Sequence, residues 1–421
     1  MPRNFYIALF LIFSSPLWAG GPILVDTEST GQAVLWQNGV VHYNLENSSS
    51  ATLGSLSNAE AIALVKELFD DWKNVTLNGV STVSLTFQEG TGLGSVNTSN
   101  LNDHFSYCPH GETCPSESAP FIVGSARTGE SPILFDEDGS MTDAIQGKGA
   151  SQSILGFAGP RVVERTNGIL YITEGQAMLN GKFINGVTSS TDPEVTVSQF
   201  KGAILHELGH FMGVDHTQVN LSSVVKYLNG DKSEKNAIPT MLPLFVDGDE
   251  QLSLHFDDKV TISALYPSSN FQSSFCTLQG KVFKADGSTE LQGVNVVAKN
   301  SAAPLLEVTS SVSGSFYTGT STNCNAAKGD YTLSGLTPGT SYLLSIEVIS
   351  KAFTGGSSLE PCDPPQSGFD TKTVSGLFSC SSGGQVITIG TEASTRVTST
   401  KSTTSNVESS SDSSGGCSLL P

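Results

Sequence analysis

Positive charge is what this sequence lacks most. Lys and Arg number 21 in 421 residues against 40 Asp and Glu, for a formal net charge of −19. A chain so acidic repels phosphate backbones and anionic lipid surfaces, which excludes nucleic acid as a partner. Charged residues of both signs make up only 14%, so the acidity comes from missing bases rather than from acidic runs. Also missing is an apolar stretch long enough to span a bilayer as a helix. The nearest to one, Phe5 to Phe13 (FYIALFLIF), follows Arg3 and precedes SSPLWAG with a small residue, Ala19. A basic start, a short apolar segment and a small-residue cleavage point are the parts of a secretory signal, here residues 1–20. The expected location is outside the cell, free or at the cell surface. No cysteine directly follows the apolar run, so nothing indicates an N-terminal lipid anchor.

Cysteine is present in the amount an oxidising compartment allows, seven in all. Cys108 and Cys114 flank a short polar loop and are spaced for a local pair. Cys276, Cys324, Cys362 and Cys380 lie beyond residue 270 and allow three pairings. Cys417 is left over. The length exceeds one average domain, and composition divides it. Residues 21–270 mix helical and strand patterns and hold all seven histidines. Residues 275–392 become short β-type runs (GVNVVAK, DYTLSGL, SYLLSIEVI) between Gly, Ser, Asn and Pro turns, the pattern of an all-β sandwich. Residues 393–421 form a tail in which Ser and Thr fill 14 of 23 positions from Ser394 to Gly416. With so little apolar surface to repay ordering, disorder is the expectation there.

Two helices are legible in the first unit. Ser57-Asn58-Ala59-Glu60 is a capping box, and behind it Ile62, Val65, Phe69 and Trp72 recur at helical spacing, marking a core face. Val83 to Phe87 (VSLTF) then alternates like a half-buried strand. The second helix is expected to start after Ser198, with Phe200, Ile204, Leu205, Leu208 and Met212 among its apolar positions.

That helix carries His206-Glu207-Leu208-Gly209-His210, then Gly213 and His216. Residues four apart share a helix face, so His206 and His210 can offer nitrogens to one ion. Gly213 can take the left-handed conformation that ends a helix sharply and lets His216 return to the same point. Three neutral imidazoles leave a fourth tetrahedral position open, the arrangement of a catalytic zinc. Glu207, beside them without being a ligand, suits a general base. Requiring Gly213 and His216 beyond the H-E-x-x-H core cuts chance occurrence about 600-fold, given Gly at 43 and His at 7 of 421.

These residues resemble the metzincins, whose H-E-x-x-H-x-x-G-x-x-H helix precedes a Met-turn. Met241, in Ile238-Pro239-Thr240-Met241-Leu242-Pro243, matches the turn methionine. Asp257-Asp258-Lys259-Val260 through Tyr266-Pro267 is similar to the closing helix of the matrixin branch. The resemblance, over roughly residues 36–268, implies an α+β catalytic domain: a twisted mixed sheet plus an active-site helix. It implies one catalytic Zn2+ held by His206, His210 and His216, with Glu207 as base and protein or peptide substrates for a monomeric endopeptidase. The second unit is similar to carboxypeptidase-regulatory-like sandwiches, on Gly280-Lys281-Val282, Gly293-Val294-Asn295-Val296 and the run from Gly329 to Gly339, and is read as a spacer or stabiliser.

The sequence departs from the matrixin pattern in places. Strand-like sequence (VLWQNGVVHYNL) follows the signal directly, leaving no room for a propeptide, and no cysteine-switch segment precedes the domain. Counterparts of a second, structural zinc are absent; His104 and His110 are read as surface loop residues. Asp136, Asp138 and Asp143 cluster oxygen ligands about Gly139, and Ca2+ is weighed against a plain acidic turn. Ile169-Leu170-Tyr171-Ile172 is taken as an edge strand along which substrate could lie. Gly415-Gly416-Cys417 is similar to the core of bacterial sorting signals, so cell-surface attachment through Cys417 stands beside a free or intermolecularly paired thiol. The rival to a secreted peptidase is a catalytically silent surface-binding protein that works through the sandwich.

Overall fold

The computed structural model describes residues 20–24, 26, 32–105, 122–123, 130–188, 194–284, 288–314, 329–350, 372–374, 377–379, 385–389 and 416–418. The expected signal segment up to residue 19 lies outside the described residues. So do His110, Cys108, Cys114, Cys324, Cys362, Cys380 and the Ser/Thr-rich stretch up to residue 415. No helix among the described residues is long and apolar enough to cross a membrane.

The first unit is built on a mixed sheet. Its main strands, in spatial order, are Ile154–Thr166, Ile169–Asn180, Pro132–Asp136, Val40–Leu45 and Thr86–Glu89. The last four run parallel, and Ile154–Thr166 runs antiparallel to its hairpin partner Ile169–Asn180. Parallel strands need long crossovers, and helix Asn58–Lys73 lies within the one from Val40–Leu45 to Thr86–Glu89. It begins where the sequence places it. Ser57 N–H donates to Glu60 Oε2 at 2.9 Å, and Ser57 Oγ accepts from Glu60 N–H at 3.4 Å. Val65, Phe69 and Trp72 are buried in the main core, and Ile62 packs at its margin. Val83 and Leu85 alternate inward as expected, but sheet pairing begins only at Thr86; Val83 bridges to Pro267 instead.

Three expectations need correction. The second helix spans Val197–Phe211, starting before Ser198, because Thr196 and Gln199 make a second capping box. Ile169-Leu170-Tyr171-Ile172 is not an edge. It pairs with Val163–Thr166 on one side, and Tyr171 and Ile172 pair with Leu35 and Trp36 on the other. The outer strand of the hairpin is Ile154–Thr166, and its Val162 and Val163 pair in turn, on the outer side, with Ile122–Val123. Finally, the tail is not structureless throughout: Gly416–Ser418 pairs antiparallel with that outer strand. Three residues of unremarkable composition gain order there because a long-range partner offers unsatisfied backbone groups, which local sequence does not report.

The second unit holds two sheets. Cys276–Val282 lies between Asp330–Leu336 and Gln385–Ile389, and Asn295–Asn300 between Val308–Val312 and Ser341–Glu347. Leu278, Val282 and Leu333 of the first share one buried core with Val296, Leu344 and Ile346 of the second. Cys276 is disulfide-bonded, to a partner that is not among the described side chains.

Candidate metal centre

Helix Val197–Phe211 holds the site because other parts of the chain fix it in place. Trp72 Nε1 donates to Leu205 O at 2.9 Å, and Trp36 Nε1 to Phe211 O at 3.0 Å. Tyr266 Oη donates to Met212 O at 2.6 Å, just past the helix end. Gly213 then takes φ 91°, and its N–H bonds to His210 O at 2.9 Å, turning the chain back. The segment Gly20–Leu24 lines this return, with Ile23 N–H on Gly213 O at 2.8 Å and Asp215 N–H on Gly21 O at 2.9 Å.

The outcome is three imidazoles meeting at one point. The Nε2 atoms of His206 and His210 are 3.0 Å apart, those of His206 and His216 3.0 Å, and those of His210 and His216 2.9 Å. All three side chains are buried. His206 Nδ1 lies 2.7 Å from Thr240 O and His210 Nδ1 2.8 Å from Val214 O. Donation to those carbonyls puts the hydrogen on Nδ1 and leaves each Nε2 lone pair directed at the centre. Burial keeps the rings neutral: it takes His206 down to about 4, and holds His210 and His216 well below the ordinary histidine value with help from their neighbours.

Three neutral nitrogen acceptors crowded together in a buried place cannot satisfy one another, whereas a divalent cation satisfies all three. The donor set suits zinc. Among the described residues this is the one group of three or more His, Cys, Asp or Glu gathered closely enough to hold a metal. Glu207 is fully buried on the same helix, its Cγ 3.2 Å from where a Cβ on Gly156 of the outer strand would stand. Met241 packs against the helix at Gly209, where a Cβ would come within 2.6 Å of its Sδ. Only glycine allows that approach.

Asp136, Asp138 and Asp143 are not brought together as a ligand set. Asp136 accepts from Met141 N–H at 3.2 Å and Thr142 N–H at 2.7 Å, Asp138 from Ser140 N–H at 2.9 Å, and Asp143 from Ser151 N–H at 2.8 Å. Their carboxylates serve the start of helix Ser140–Gln146 and the turn after it, where orphan N–H groups need acceptors. His104 pairs with Glu130 at 2.8 Å.

Sequence reasoning passed over what the acidic pair at 257–258 does. Asp258 accepts from Thr240 N–H (2.9 Å), Met241 N–H (3.1 Å) and His255 N–H (2.8 Å), tying the methionine turn to helix Phe256–Leu265. Asp257 accepts from Thr217 Oγ1, one residue after His216, and from Ser310 N–H of the second unit at 2.7 Å. Burial pushes Asp257 up to about 6. Burial and then the Asp257 charge push Asp258 up to about 7. The second unit reaches the same loop again, where Gln218 bonds to Ser350 and Asn220 Nδ2 to Leu305 O. An adjacent acidic pair before an apolar helix was the available signal; its burial was not visible.

Gly213→Ala tests the return loop. A side chain at φ 91° costs about 1–2 kcal/mol, and its Cβ would meet Ile172 Cδ1 at 3.3 Å. The expected result is a lower melting temperature together with faster zinc loss to a chromogenic chelator. Unchanged zinc retention would show that the loop does not set His216.

Residues 35–267, more than half of the chain, match the matrixin family of peptidases. With its three-histidine cluster, the chain belongs to the matrixins, within the metzincins. That family points to a zinc metallopeptidase acting on protein substrates. No curated protein and no solved structure matches the chain.

Proposed function

We propose that this chain is an exported zinc endopeptidase that cleaves protein substrates outside the cell. One observation carries the reading: His206, His210 and His216 converge on a point beside Glu207, under the outer strand of the sheet. The zinc, held by those three imidazoles, would polarise the scissile carbonyl and acidify a water. Glu207 takes the proton of the attacking water on its carboxylate and returns it to the leaving amine nitrogen. Its burial excludes bulk water from that carboxylate and keeps the transfer local. The first part of the outer strand, Ile154 to Gly159, holds an extended substrate by strand addition, its backbone N–H and C=O groups fixing the register of the scissile bond, because Val162 and Val163 further along already pair with Ile122–Val123. Met241 supports the helix at Gly209, and the β-sandwich of residues 275–392 braces the loop that carries His216.

The test is hydrolysis of an unfolded protein by the zinc-loaded chain, made with and without residues 416–421. Hydrolysis should stop on chelation and return on adding zinc. A zinc-loaded chain that cleaves nothing in either form overturns the reading.

A further inference from the structure

A cavity of about 350 Å3 opens where the two units meet, and neither the three histidines nor Glu207 line it. One wall is the start of helix Phe256–Leu265, where His255 and Lys259 stand four residues apart. His255 Nε2 donates to Leu305 O at 2.9 Å, the carbonyl that Asn220 Nδ2 also reaches, and this fixes the adjoining Leu306 of the second unit at the cavity. Asn78, another lining residue, donates from Nδ2 to Thr337 Oγ1 at 2.8 Å. Both units therefore build the site. Of its apolar lining, Leu77 and Leu254 are buried, Phe256 is half-buried and Leu306 is 51% exposed. An apolar ligand group seated there would take that surface out of water.

The charge on the wall is Lys259. It is half-buried and makes no ion pair among the described residues. Six other lysines do, in a chain where carboxylates outnumber basic side chains 40 to 21. The carboxylate that lines the same cavity, Glu250, is already taken by Lys235 at 2.5 Å. Burial, and then the Lys259 charge, take His255 down to about 4, so it adds no second cation.

We propose that this cavity is an accessory site for the C-terminal end of a peptide, with Lys259 holding the carboxylate and Leu77, Leu254, Phe256 and Leu306 receiving an apolar last side chain. One unbalanced cation matches one carboxylate, and Glu250 nearby disfavours a ligand of higher charge. Asn78, Asn236 and Ser253 also line the cavity. Their amides and hydroxyl match peptide bonds and have no use against an alkyl chain, which favours a peptide over a fatty acid. The volume has room for a chain end and not for a folded partner. A peptidase makes new carboxylate ends, so the source of the ligand rests on the reading above, while the site itself does not. A peptide end seated there touches both the helix that carries Asp257 and Asp258 and Leu306 of the second unit, so its binding favours the docked arrangement that braces the metal loop.

Calorimetric titration tests this. Acetyl-Gly-Gly-Leu, its C-terminal amide and octanoate are added to the full zinc-loaded chain, with acetohydroxamate present throughout to cap the metal against carboxylates. The free acid should bind about tenfold more tightly than the amide, the contribution of one charge-assisted pair at a half-buried position. Lys259→Gln should bind acid and amide alike, Lys259→Arg should keep the preference, and Leu306→Ser should weaken both about threefold. All three variants should melt as their parent does. The proposal is overturned if the parent binds acid and amide equally, or if the acid does not bind at about 1 mM. It is also overturned if the preference survives in Lys259→Gln, or if octanoate binds and the peptide does not. A chain that binds the acid through Lys259 yet cleaves no protein keeps the site and sinks the peptidase reading alone.

Discussion

Glu207→Gln is expected to keep its zinc and to lose about 10²–10⁴-fold in kcat, the share that a positioned general base contributes. The two effects separate because the three imidazoles come from His206, His210 and His216, whereas Glu207 stands beside them on the same helix. Glutamine matches glutamate in size, so the close approach of Gly156 is preserved. What it cannot do is accept and return a proton. KM should change little if substrate is held, as proposed, by the backbone of Ile154 to Gly159 and not by this side chain. The comparison belongs on chains lacking residues 416–421, with zinc content measured on the same samples. A variant within about threefold of its parent, where a base should supply 10²-fold or more, would remove Glu207 from the role of base. A variant that has lost its zinc would move Glu207 into the ligand-supporting set.

The second large effect is on stability. Asp258→Ala should cost about 3–5 kcal/mol of unfolding free energy, because each orphaned buried donor costs about 1–3 kcal/mol. Its carboxylate serves three N–H groups, those of Thr240, Met241 and His255, and it is 1% exposed. Part of that benefit is already offset by burying the charge beside Asp257, which is why its pKa is pushed up to about 7. Asp258→Asn removes the charge and still accepts at one oxygen, so it should cost roughly half as much as Ala on the same scale. Zinc affinity should follow in the same order. Thr240 O lies 2.7 Å from His206 Nδ1, and Met241 O accepts from Thr217 N–H at 2.8 Å. Denaturant unfolding paired with zinc competition makes the check. An Ala variant within about 1 kcal/mol of its parent would show that water replaces the carboxylate without loss.

Local rules made part of this protein legible in its sequence. The Ser57–Glu60 box and the apolar spacing behind it specify a helix by satisfying its own first N–H groups and by laying one face inward. His206 and His210 were placed together by helical pitch alone, and Gly213 marked the turn that returns His216, since only glycine takes φ 91° cheaply. Each of those inferences needs no more than about a dozen consecutive residues.

Where contact partners lie far apart in the chain, the sequence was silent or misleading. Ile169–Ile172 has the alternation of a strand, yet whether a strand is edge or interior depends on which neighbours pair with it, and here Leu35 and Trp36 do. Asp136, Asp138 and Asp143 have the composition of a calcium loop, but helix Ser140–Gln146 and Ser151 supply the N–H groups that take up their oxygens. Asp257 and Asp258 read as a helix start, and only packing against the methionine turn, Thr217 and Ser310 turns them into buried ties of the site. Gly416–Ser418 pairs with a strand far back in the chain, after a stretch whose composition expects disorder. The sequence by itself determined the two helices, the three-histidine set and the acidic character of the chain, because those follow from local periodicity and composition. The tertiary structure decided the edge of the sheet, the bracing of the metal loop and the place of Gly416–Ser418, because strand pairing and burial join residues that no local pattern connects.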